Sequence, residues 1–63
     1  MTKAKKNLEE QVKTLEMSMA EIKKVHDAIG FGGGASMSLN FVEAKIRGAI
    51  NDLREAITEI KET

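Results

Sequence analysis

The 63-residue sequence has no cysteine, proline, tryptophan or tyrosine, only two phenylalanines and a single histidine. Without cysteine there is no disulfide framework and no thiolate metal site to stabilise so short a chain. Without tryptophan and tyrosine, and with only Phe31 and Phe41, it lacks the stacking platforms on which single-stranded nucleic acids are held. Charge of a prevailing sign is missing too. Ten basic and ten acidic residues cancel to a formal net charge of zero, which argues against a nucleic-acid-binding or DNA-mimicking surface. No apolar run approaches the roughly 20 residues that cross a bilayer as a helix. Met1 to Lys6 opens in the manner of a secretory signal, but Leu8 is followed by Glu9 and Glu10 rather than by an apolar core. A soluble, cytoplasmic protein is the expectation. Catalysis finds no foothold either: Ser18, Ser36 and Ser38 have no base at a recognisable spacing, so no enzymatic activity, cofactor or metal is expected.

What is present is order in the apolar residues. Leu8, Val12, Leu15, Met19, Ile22 and Ile29 are spaced alternately by four and three, with His26 in the one polar slot. This heptad pattern places Val12, Met19 and His26 at position a and Leu8, Leu15, Ile22 and Ile29 at d. Ile46, Ile50, Leu53, Ile57 and Ile60 repeat it, with Glu43 at a preceding a position and Val42, Ala49 and Ala56 recurring at g. Asn7 with Glu10, and Asn40 with Glu43, offer capping boxes at which the two helices can start. Gly30 follows Ile29 as a helix stop. Between the segments, Ala28 to Val42 is a fifteen-residue stretch without a charge. The spacing therefore predicts one all-α domain over 1–63: a basic tail over 1–6, a helix over 7–29, a glycine-rich tip over 30–40 and a helix over 41–61. The helices are of matched length, which favours an antiparallel hairpin with coiled-coil-like heptad packing.

A hairpin of this size cannot cover its own apolar stripes, and chains this short bury too small a fraction of their surface to be comfortably stable alone. Self-association follows, either as two hairpins in a four-helix bundle or as a trimer of hairpins, the latter because isoleucine at both a and d disfavours two-stranded packing. The oligomer core would be Leu8, Val12, Leu15, Met19, Ile22, Ile29, Ile46, Ile50, Leu53, Ile57 and Ile60.

The polar interruptions His26 and Glu43 lie on opposite sides of the tip. With the reversal near Ser36, His26 lies opposite Ile46 and Glu43 opposite Ile29, one layer apart. The two can then bond and fix the register of the helices. Because histidine titrates near neutrality, the same pair is a candidate pH-sensitive element. One His and one Glu are too few for a metal. The string Gly30-Phe31-Gly32-Gly33-Gly34-Ala35 matches a G-x-G-x-x-A pattern, but a dinucleotide fingerprint needs a strand before it, and here a helix precedes it. Phe31, Met37, Leu39 and Phe41 cluster at the tip without nearby charge. They form a candidate contact patch for a protein partner or for a membrane surface. The favoured function is a non-enzymatic, self-associating protein-interaction module: a small scaffold, adaptor or regulator. A membrane-active hairpin using its uncharged tip is the alternative, and an RNA-binding four-helix bundle is a third reading by architecture alone.

Overall fold

The computed structural model describes residues 3–60. These fold into two helices, α1 (Lys3–Ile29) and α2 (Gly33–Glu59), packed against each other as a hairpin, and the described residues contain no strand. Each helix has 27 residues, close to 40 Å at the helical rise. The Cα trace measures 50 × 15 × 9 Å. The molecule is one helix thick, so each helix has a single neighbour.

Both helices begin earlier than the local capping signals suggest. Lys3 to Lys6, expected in a tail, form the first turn of α1, while Met1 and Thr2 lie outside the described residues. The larger difference is at the reversal. The expected tip over 30–40 contracts to three residues, and α2 starts at Gly33 rather than Phe41. Asn7 and Asn40 consequently lie inside helices and cap neither. The heptad supplies the physical reason. Ser36 lies seven residues before Glu43 and Leu39 seven before Ile46, so the stripe of α2 runs unbroken back to the turn. Packing along α1 then extends the helix through residues that contain no proline and include the good helix formers Ala35, Met37 and Leu39.

Glycine makes the short reversal possible. Gly30 closes α1 with φ 85°, its N–H donating to the His26 carbonyl at 3.0 Å, and Gly33 has φ 86°. Between them Gly32 is extended and offers no side-chain cap. At the far end the Ile60 N–H donates to the carbonyls of Ala56 and Ile57.

Along the hairpin the apolar stripes meet without enclosing each other. Val12 and Ile50 are the buried hydrophobic residues. Leu8, Leu15, Met19, Ile22, Ile46, Leu53, Ile57 and Ile60 are half-buried, and Ile29, expected in the core, is half exposed because the chain turning beside it is glycine. Arg54 donates to Glu16 across the helices at 3.2 Å, both well exposed, a contact of small energetic weight.

The two left-handed glycines and the helical ones respond oppositely to a Cβ. Gly30→Ala and Gly33→Ala should each cost about 1–2 kcal/mol from backbone strain. Gly48→Ala, in the interior of α2 with nothing within 4 Å of the added carbon, should stabilise by about 0.5–1 kcal/mol. Thermal unfolding of the three variants checks this, and equal effects at all three positions would contradict the turn geometry.

Candidate functional site

The polar residues of the hairpin gather in its interior next to the turn. His26, in the last turn of α1, is 3% exposed, and Ser36, in the first turns of α2, is 4% exposed. The reversal is centred on Phe31 rather than near Ser36, which brings Ser36 level with His26. The imidazole is held from both sides: Nδ1 lies 2.9 Å from Oε2 of Glu43, and Nε2 lies 2.7 Å from Oγ of Ser36. Phe31 covers the ring, with centroids 4.5 Å apart and planes inclined at 44°.

Proton placement follows from the partners. An ionised carboxylate only accepts hydrogen bonds, so Nδ1–H of His26 donates to Glu43; in the neutral ring Nε2 is then bare and accepts the Ser36 hydroxyl proton. No buried side-chain nitrogen or oxygen among the described residues lacks a hydrogen-bond partner. Glu43 is turned inward to the histidine.

The sequence pattern pointed to His26 and Glu43, and the structure brings them together. The spacing does not single out Ser36, which it places in the tip with no base near it, whereas in the fold the serine is hydrogen-bonded to His26. The available signal was its a position, seven residues before Glu43.

Hydroxyl, imidazole and carboxylate stand in the order of a nucleophile, a base and an orienting acid. A cleft of about 210 Å³ beside them is lined by Lys23, His26, Asp27, Phe31 and Glu43; it reaches the base and the acid and leaves Ser36 covered. The arrangement holds two helices in one register. Among the described residues no three His, Cys, Asp or Glu side chains converge to hold a metal ion.

The remaining tip residues separate. Phe31 is 77% exposed, and Met37 and Phe41 are each 61% exposed on α2. Leu39 is half-buried in the inner stripe. Neither a protein-family model, nor a curated protein, nor a solved structure matches this chain.

Removing one member of the relay strands another in a dry place. His26→Leu and Glu43→Leu should each lower stability by about 1–3 kcal/mol, and the double variant should cost clearly less than their combined effect, because the second change removes a group already unpaired. Denaturant titration of the four proteins measures the coupling; additive effects would show that the pair does not act as a unit.

Proposed function

We propose that the chain is a non-enzymatic interaction module that works as a self-associated helical hairpin, two copies packing their half-exposed stripes into a four-helix bundle. The observation that carries this reading is the shortage of interior. None of the large side chains among the described residues is fully buried, and the apolar stripe from Leu8 to Ile22 on α1 and from Ile46 to Ile60 on α2 is mostly half open. Area gives the same answer. The chain exposes 4767 Å², whereas a compact folded chain of 6.9 kDa exposes about 4000 Å². The surplus of roughly 800 Å² equals one partner's share of a standard protein interface.

The g positions of α2 suit this packing. Ala49 is half-buried and Ala56 exposed, and side chains this small allow a second helix to approach closely along that flank. In such a bundle the Ser36–His26–Glu43 relay acts as a register device. A polar group at one a-type position costs stability and restricts the alignments a heptad repeat would otherwise permit. A trimer of hairpins is the alternative stoichiometry, favoured by the isoleucines at Ile46, Ile50, Ile57 and Ile60.

Sedimentation equilibrium of the full chain should give a species of twice the 6.9 kDa chain mass, with a melting temperature that rises with protein concentration. Three times that mass would replace the bundle by the trimer. A monomer that remains fully helical and melts independently of concentration would overturn the reading. As a check on the non-enzymatic part, Ser36→Ala should leave the hydrolysis of p-nitrophenyl acetate at the wild-type rate.

A further inference from the structure

The turn end of the hairpin is built with its polarity reversed. Its interior holds His26, Ser36 and Glu43, polar groups that satisfy one another. Its outside presents Val25, Ile29, Phe31, Met37, Phe41 and Val42, all exposed. A chain folded for water alone does the opposite, and a concentration of exposed large apolar side chains marks a surface that meets something other than water. From Ala28 to Val42 there is no charge at all.

The distribution of these side chains selects the occupant. They fall at positions g and d of α1, in the turn itself, and at b, f and g of α2, so they leave the helix axes in several directions rather than as one stripe. A partner helix or a second hairpin covers one stripe; an end that is apolar on several sides suits immersion. Phe31, Met37 and Phe41, in the turn and at b and f of α2, also lie apart from the a, d and g stripe that the four-helix bundle would close, leaving these three open in the assembled form. Charge resumes just behind them. Lys23 and Lys24 on α1 and Lys45 and Arg47 on α2 are exposed, opposed by exposed Asp27 and by Glu21, which pairs with Lys24 at 3.1 Å. With the inward-turned Glu43 counted, four basic side chains stand against three acidic ones, and the excess of one positive charge complements anionic headgroups. No helix among the described residues is long and apolar enough to cross a membrane, so contact of this kind is shallow and end-on.

We propose that the turn end of the hairpin seats on an anionic lipid surface, with Phe31, Met37 and Phe41 entering the acyl boundary and the Lys23, Lys24, Lys45 and Arg47 collar resting among the headgroups. The mutually bonded His26, Ser36 and Glu43 need no water when this end is immersed, the exposed Ser38 and Asn40 beside Met37 and Phe41 keep the contact shallow, and the short glycine turn presents Phe31 foremost. Insertion is driven mainly by apolar area, about 25 cal/mol for each Å² removed from water, with the collar adding a preference for negative lipid.

Co-sedimentation of the full chain with vesicles of phosphatidylcholine containing roughly 30% phosphatidylserine tests the proposal directly. The wild type should pellet with the vesicles, Phe31→Ser/Phe41→Ser should lower the partition coefficient by at least about tenfold, and Met17→Ser, at a 70% exposed position outside the charge-free segment, should bind like the wild type. Far-UV circular dichroism of each variant establishes that the helices are retained, and Met37→Ser serves as a replacement should the double variant unfold. Wild-type protein left in the supernatant would overturn the proposal, as would an equal loss of binding in Met17→Ser. If vesicles are ignored while the tip variant reduces the sedimenting mass of the free protein, the end is covered by another copy of the chain and the lipid assignment is wrong. Failure of self-association with vesicle binding intact would instead overturn the bundle and leave this proposal standing.

Discussion

The hydrogen-bonded relay from Ser36 through His26 to Glu43 is the constraint on which the hairpin depends. Apolar stripes of leucine and isoleucine are permissive: sliding one helix by a turn or a heptad exchanges one greasy contact for another of similar value. The relay is not permissive. It joins the last turn of α1 to two positions of α2 seven residues apart, at 2.9 and 2.7 Å, and any shift along the axis leaves buried polar groups without partners. Such a loss costs about 1–3 kcal/mol for each group, a large fraction of what a chain this small can possess. The glycines at Gly30 and Gly33 serve the same end, because only a tight reversal brings Ser36 level with His26.

Placing the polar side chains inside has a corollary for the surface. The segment without charge must still expose side chains, and the large apolar ones it exposes are Ile29, Phe31, Met37, Phe41 and Val42. The middle of the hairpin poses a different problem, a ribbon 9 Å thick in its Cα trace whose apolar stripes are each covered from one direction. Under the two proposals these surfaces divide, the long stripe going to a second hairpin and the turn end to a lipid surface. Their separation along the axis allows both to be occupied at once.

Much of the architecture was legible in the residues. The four-three spacing gave two helices, Gly30 ended the first where the structure ends it, and the two polar breaks His26 and Glu43 stood out from otherwise apolar seams. The start of α2 was not legible by the same means. Asn40 with Glu43 imitates a capping box, and three consecutive glycines imitate a long loop; both are local signals. The helix begins where α1 offers a surface to pack on, and that is a tertiary effect, visible only as the phase of Ser36 and Leu39 with Glu43 and Ile46. Losing those residues to a loop also hid the serine that completes the relay. Ile29 shows the converse: its phase is that of a core residue, yet the turn leaves it half exposed.

The most direct test of the relay is the protonation pattern of the His26 ring, read by long-range ¹H–¹⁵N NMR of the imidazole. The geometry predicts that the neutral ring is held as the Nδ1–H tautomer, with Nδ1–H donating to Glu43 and Nε2 accepting from Ser36. Nitrogen shifts typical of a fixed Nδ1–H ring, altered at Nε2 by Ser36→Ala, would establish it. A neutral ring in the Nε2–H form, or one averaging freely between tautomers, would contradict the claim that a buried relay sets the register of the hairpin.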